Sequence, residues 1–174
     1  NSWLLDDTYM TYETVLSDRE MGELIKIITN EETPRDNDRT DLSLIFSSNP
    51  ADKKPFDVVI VELKKKGVSL EDNMVVETQL KKRARKLMQH FDNHIQRIWY
   101  YGIIEFSEEV ELALSGEYTP LYSSGKMYYK ETNVALSLQP VKTIPIGIYI
   151  WDLNAVIGDA ENRNAAFLSL IKSR

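Results

Sequence analysis

Three polar residues whose types suit phosphodiester chemistry lie at the ends of two apolar segments. Asp41 begins the segment 41–46, and Glu62 and Lys64 lie at the end of the segment 56–63, which is almost continuously apolar. If the two segments are antiparallel neighbouring strands, the start of the first meets the end of the second at one edge of a sheet, and we expect Asp41 beside Glu62. Glu62 and Lys64 are two residues apart, so we expect both side chains on one face.

Two converging carboxylates and one ammonium group can together hydrolyse a phosphodiester. Carboxylate oxygens are hard ligands that suit Mg²⁺, which commonly takes one or two of them beside phosphate oxygens and water. We therefore predict that Asp41 and Glu62 bind Mg²⁺, with Mn²⁺ as the alternative ion. Lys64 can hold the attacking water or stabilise the charge that develops on phosphorus. Asp57 is a competing acid, but about 16 Å of strand at ~3.3 Å per residue separates it from Glu62.

Alternating helical and strand patterns should position these residues. Ser17 and Glu20 have the spacing of a helix capping box. Apolar periodicity and turn residues then predict a mixed α/β arrangement, a central β-sheet flanked by helices. The predicted elements are a helix from Ser17, strands at 41–46 and 56–63, a helix at 70–94, a strand at 95–106, short strands or a hairpin in 118–138 around Gly125, a strand at 144–153 and a helix in 154–173.

The composition indicates one globular domain spanning residues 1–174. The chain has 174 residues, 43% of them hydrophobic and 28% charged, which is enough for one core and short for two. It contains no cysteine, which excludes disulfide scaffolds, thiolate zinc sites and cysteine nucleophiles. No apolar run approaches the length of a membrane span, so we expect no membrane partner and a cytoplasmic location. Because the chain begins at Asn1 without a leader, we expect a domain excised from a longer protein.

The charge is distributed unevenly along the chain. The net charge of −6 argues against a nucleic-acid partner, because phosphate binding needs a basic surface. Residues 53–97, however, carry eleven Lys or Arg against six acids, a balance of +5, which leaves −11 for the remainder. A solvated helix surface is the simplest explanation of such a basic run. Its position directly after Glu62 and Lys64 favours phosphate contacts instead.

Asp41, a turn-rich spacer, and Glu62-Leu63-Lys64 at the end of an apolar strand resemble the PD-(D/E)XK phosphodiesterase superfamily, the restriction-endonuclease-like fold. The resemblance covers roughly residues 17–106 and includes the order of a helix, a hairpin with the acid and the E-x-K, a helix and a strand. Thr40 departs from the family's Pro before the acid, and Arg83 stands where some relatives carry a Tyr.

The resemblance implies a DNA-cleaving domain of the kind found on larger ATPase or antiviral defence proteins. It implies that Gln79, on the following helix, belongs to the site with Asp41, Glu62 and Lys64. A further carboxylate from the first helix is expected in this family, and Glu20 and Glu23 both remain candidates. A homodimer, or an attached ATPase or regulatory domain, is the expected setting. The basic residues expected to contact DNA are Lys65, Lys66, Lys81, Lys82, Arg83, Arg85 and Lys86.

Two functions are therefore in competition. The first is a Mg²⁺-dependent nuclease acting on DNA. The second is a catalytically inactive module on the same fold that binds nucleic acid or protein. A small-molecule hydrolase is poorly supported, because the chain has no G-x-S-x-G elbow and no glycine-rich phosphate loop. The aromatic residues Trp99, Tyr100 and Tyr101 lie on a predicted central strand, where packing in the core is favoured over stacking on bases.

Overall fold

The computed structural model describes residues 22–24, 41–52, 54–64, 76–91, 94–121, 126–138, 141–158, 161–162 and 165. They form six strands and two complete helices, together with a short 3-10 turn at Pro50–Asp52. The strands are β1 (Asp41–Phe46), β2 (Phe56–Leu63), β3 (Ile95–Ile104), β4 (Thr119–Pro120), β5 (Met127–Leu138) and β6 (Val141–Asp152), and the helices are α1 (Val76–His90) and α2 (Glu108–Glu117). Residues 153–158 are also helical.

The strands form one mixed sheet in the order β1-β2-β3-β6-β5-β4. The two central pairings, β2 with β3 and β3 with β6, are parallel, whereas β1, β5 and β4 are added as antiparallel neighbours. Parallel strands need crossover connections, and α1 lies in the crossover between β2 and β3. The predicted α/β class with a mixed sheet and flanking helices is confirmed.

One face of the sheet carries the larger core. In β2 the side chains of Phe56, Val58 and Ile60 are buried on this face, each at most 2% exposed. Leu80 and Leu87 of α1 pack there, and both are fully buried. The opposite face has a smaller core around Val59 and Tyr101, bordered by half-buried aromatic side chains. β2 is therefore covered on both faces, since Val58 and Val59 are both fully buried.

Several predicted boundaries differ from the observed ones. β3 ends at Ile104 rather than at residue 106, and the strands predicted within 118–138 are the two-residue β4 and the twelve-residue β5. Helix α1 covers 76–90, and residues 70–75 of the predicted helix lie outside the described residues. Most of the predicted first and last helices also lie outside them, although 22–24 and 153–158 are helical.

Helix α2 was not predicted. Its N-cap is Ser107, whose hydroxyl oxygen accepts a hydrogen bond from the backbone N–H of Val110 at 3.3 Å. Acidic residues fill its first turn, where they interact favourably with the partial positive charge of the helix N-terminus. These cap signals are present in the sequence, but only Val110 and Leu114 of the helix are buried, so its apolar periodicity is weak.

Candidate functional site

Glu62 lies at the end of β2 on the face that carries the larger core. Positions 56, 58 and 60 of the strand are apolar and buried on that face, and Glu62 continues the same alternation with only 1% of its surface exposed. An ionised carboxylate buried to this degree needs compensating charges and hydrogen bonds. Glu62 therefore requires partners from other elements.

Three side chains supply that compensation. The ammonium nitrogen of Lys64 lies 2.8 Å from Oε1 of Glu62, which confirms that the two side chains share a face. The hydroxyl of Tyr100, on β3, donates a hydrogen bond to Oε2 at 2.6 Å. Arg83, on α1, donates a second hydrogen bond to the same oxygen and forms an ion pair with it. One buried carboxylate thus contacts two cations and one hydroxyl, and the cluster carries a net charge of +1.

These contacts keep Glu62 ionised. Burial raises the pKa of its carboxyl group, but the charge of Arg83, the ammonium group of Lys64 and the hydrogen bond from Tyr100 outweigh burial and leave the pKa below its usual value. For Tyr100, burial and the adjacent negative charge of Glu62 raise the pKa well above its usual value. Tyr100 therefore stays protonated and remains a hydrogen-bond donor.

The backbone of Asp41 lies at the same edge of the sheet, but its register differs from the expected one. Asp41 pairs with Leu63, and Leu42 is the residue opposite Glu62. In an antiparallel pair, directly opposed residues have the closest Cβ atoms. Asp41 is therefore offset by one residue from the position directly opposite Glu62. The Asp41 side chain lies outside the described residues, and its convergence with Glu62 stays a prediction.

Several other predicted site residues also lie wholly or partly outside the described structure. Gln79 belongs to α1, but its side chain is not described, and Lys65, Lys66 and Glu20 are outside the described residues altogether. Glu23 lies in the helical residues 22–24 and is exposed. The choice between Glu20 and Glu23 therefore stays open.

The basic residues of α1 differ in their exposure and in their partners. Lys82 and Arg85 are exposed, and Nε of Arg85 donates a hydrogen bond to the carbonyl of Ala135 at 3.2 Å. Lys86 has a pKa below its usual value, because of desolvation first and then the nearby charges of Lys82 and Arg83. Arg83 itself is directed into the Glu62 cluster, with 12% of its side chain exposed. The helix thus connects an exposed basic surface with the buried cluster.

Lys81 belongs to a separate polar cluster. Its ammonium group contacts Oε1 of Glu77 at 2.7 Å, one helical turn earlier. Oε2 of Glu77 contacts Lys130 of β5 at 2.9 Å, and Lys130 also contacts Glu117 of α2 at 3.0 Å. Lys81 is therefore part of a network that joins α1, β5 and α2.

The described residues alone do not fit a divalent cation. A carboxylate oxygen has the right chemistry for Mg²⁺, and Oε1 of Glu62 is buried without an aligned hydrogen bond. Lys64 and Arg83, however, place two positive charges against the only described carboxylate of the cluster. Within the described residues, no three His, Asp or Glu side chains form a group that could hold a metal ion. Binding of Mg²⁺ or Mn²⁺ therefore stays a prediction that requires a further carboxylate, for which the sequence suggests Asp41.

Sequence reasoning missed the roles of two residues in this cluster. Tyr100 was assigned to core packing, and it is indeed buried, but its hydroxyl also contacts Glu62. Arg83 was assigned to the exposed basic surface. The observation that Arg83 replaces a family Tyr marked the position as unusual, yet it did not identify the partner.

Comparison with family models, with curated proteins and with solved structures gives no match to this chain. Among the described helices, none has both the length and the apolar character needed to cross a membrane.

Proposed function

We propose that this chain is a metal-dependent nuclease that hydrolyses DNA and has a restriction-endonuclease-like fold. The observation that carries the proposal is the contact between Glu62 and Lys64 on one face at the end of a buried strand, beneath a helix rich in basic residues. The order β1, β2, α1, β3 and the antiparallel β1–β2 hairpin support it, because they are the arrangement that the resemblance implies.

Each polar residue of the site has a proposed role. Glu62, together with Asp41, would bind Mg²⁺ or Mn²⁺, which when bound supplies Lewis-acid stabilisation of the phosphate oxygens. Lys64 positions the attacking water or neutralises the charge that develops on phosphorus. Glu62 holds the Lys64 ammonium in place at 2.8 Å. Gln79, on the same helix as Arg83, is proposed to orient the site.

The partner proposed for the basic surface is the DNA backbone. Phosphate contacts that do not depend on sequence are assigned to the cations of α1 and of the segment that precedes it, and the exposure of Lys82 and Arg85 supports this assignment. We also propose a cytoplasmic role in defence against foreign DNA. The proposed partner is a second copy of this chain or an attached ATPase or regulatory domain.

The test is cleavage of plasmid and of single-stranded DNA in the presence of Mg²⁺, Mn²⁺ or EDTA. We expect cleavage with either ion and none with EDTA. Lys64→Ala should retain the fold and lose activity by roughly 10²-fold or more, the scale expected when one preorganised charge-stabilising group is removed. Full cleavage by Lys64→Ala would refute the mechanism, and absence of cleavage by the parent chain with every divalent ion would refute the function.

The second candidate is a non-catalytic nucleic-acid-binding module on the same fold. A specific observation favours it: Glu62 is already neutralised by Lys64 and Arg83, so the described cluster is positively charged. A module of this kind binds DNA without requiring Mg²⁺, and it cleaves DNA neither in EDTA nor in Mg²⁺. The same set of assays therefore separates the two functions.

A further inference from the structure

Within the residues that the structure describes, the two cations that contact Glu62 have hydrogen-bond donors without an assigned acceptor. A guanidinium group has five N–H donors and an ammonium group has three. Within the described part of the chain, Arg83 donates only to Oε2 of Glu62, and Lys64 contacts only Oε1. Both side chains are mostly buried, with 12% of Arg83 and 14% of Lys64 exposed. The remaining donors are therefore partly desolvated and still accessible from the surface.

Glu62 fixes these cations without cancelling their charge. It contacts Lys64 through one oxygen and Arg83 through the other, so that a single carboxylate sets the position of both groups. The hydroxyl of Tyr100, on the neighbouring strand β3, donates a hydrogen bond to the same carboxylate. Over its described residues the cluster has a net charge of +1, and this charge and the preorganised donors favour an anion that can bridge an ammonium group and a guanidinium group.

We infer that Lys64 and Arg83 form a discrete phosphate-binding site that is anchored on Glu62 and acts without a divalent ion. Its ligand is a phosphodiester group of the nucleic-acid substrate, so the inference rests on the proposed function and specifies which cations hold the phosphate at the reacting position. A phosphodiester presents two non-bridging oxygens, and the guanidinium group and the ammonium group can both donate hydrogen bonds to them. Arg83 thus differs from the exposed cations of α1, which bind the backbone as a diffuse charged surface.

Phosphate binding in EDTA tests this site. Inorganic phosphate and a short single-stranded DNA are titrated into the parent chain and into Arg83→Met, Lys64→Met and Lys142→Met, with NMR chemical shifts as the readout. Lys142→Met removes one positive charge from an exposed position of β6. Lys142 is far from the Glu62 cluster. Glu62 pairs with Gly102 of β3, and Gly102 pairs with Ile150 of β6. Lys142 lies eight residues before Ile150, about 26 Å along the strand at ~3.3 Å per residue.

The parent chain should bind inorganic phosphate saturably. Arg83→Met and Lys64→Met should each lower the affinity by about tenfold or more, because each removes a charge-assisted contact. Lys142→Met should stay within about twofold of the parent, since it changes only the net charge. Equal weakening by all three variants, or no saturable phosphate binding by the parent, would overturn the inference.

Arg83→Lys provides a second measurement if Arg83→Met fails to fold. It keeps a positive charge beside Glu62 but loses the planar fork, so several-fold weaker phosphate binding is expected. Unchanged affinity in both Arg83→Lys and Lys64→Met overturns the site. Failure of the proposed function can be distinguished from failure of this inference. A chain that binds phosphate in EDTA but never cleaves DNA has this site and is not a nuclease. A chain that cleaves DNA with Mg²⁺ but does not bind phosphate without metal lacks the site.

Discussion

Tyr100 donates a hydrogen bond from its hydroxyl to Oε2 of Glu62 at 2.6 Å, across the parallel pair β2–β3. Ile60 is the residue in register with Tyr100, so the tyrosine side chain extends along the strand direction to reach a carboxylate two positions farther on. Both residues are buried, at 1% exposure each. This hydrogen bond therefore links the Glu62 cluster to β3, an inner strand of the sheet.

Tyr100→Phe should destabilise the protein by about 1–2 kcal/mol, because it removes a buried hydrogen bond to a charged group while keeping the ring. The free energy of unfolding in urea measures the change. Tyr128→Phe is the matched control: its hydroxyl lies 3.2 Å from the Ser115 hydroxyl in a half-buried, uncharged contact, and about 0.5–1 kcal/mol is expected. Equal effects of the two substitutions would contradict the importance of the Glu62 contact.

Glu62→Gln should destabilise the fold by about 3–5 kcal/mol, because it leaves Lys64 and Arg83 close together without the buried negative charge. The double variant Glu62→Gln/Arg83→Met should be less destabilised than the sum of the two single variants, since it also removes one of the unpaired cations. A double-mutant cycle by chemical denaturation provides the measurement. Additive effects would show that Glu62 and Arg83 do not interact in solution.

Glu77 should contribute a pH-dependent stability. Burial raises its pKa, but hydrogen bonds from Lys81 and Lys130 outweigh burial and hold the pKa below its usual value. A lowered pKa means that this contribution is present above the pKa of the unfolded chain and is lost as the pH falls through the folded value. Glu77→Gln should therefore be less stable than the parent at neutral pH, and the difference should shrink on acidification. Parallel stability curves from about pH 3 to 6 would contradict this expectation.

Neutralising two exposed cations of α1 should flatten the salt dependence of DNA binding. If Lys82 and Arg85 each contact a phosphate, Lys82→Gln/Arg85→Gln lowers the slope of log K against log salt by about 1.8, at ~0.9 per contact. Lys54→Gln/Lys142→Gln removes the same charge from other exposed positions and should leave the slope unchanged. An unchanged slope in the first variant would assign Lys82 and Arg85 to solubility alone.

Gly147→Ala should destabilise the aromatic face of the sheet. A Cβ atom at Gly147 would lie 2.5 Å from Cε3 of Trp99, so the indole ring must move. Overpacking of this kind costs about 1–3 kcal/mol. Gly116→Ala is the control, because a Cβ there meets nothing within 4 Å and Ala is the better helix former. Equal stabilities of the two variants in thermal unfolding would contradict the packing described here.

The sequence by itself predicted β1, β2, β3 and β6 and the common face of Glu62 and Lys64. Continuous β-branched residues predicted β2, and the two-residue period of a strand was sufficient to put Glu62 and Lys64 on one face. Apolar periodicity predicted the helix α1, whose Leu80 and Leu87 lie against the sheet. These features follow from local chain geometry, which residue types and spacing express directly.

Only the tertiary structure decided how Glu62 is compensated. Arg83 and Tyr100 lie 21 and 38 residues away from it in the chain, and they meet it because α1 packs over β2 and because β3 pairs with β2 in one particular register. The register of β1 likewise places Leu42, rather than Asp41, opposite Glu62. Such relationships depend on how separate elements dock, and a shift of one residue reverses the face of every side chain in a strand. The spacing of residues within one segment does not determine how that segment docks against another.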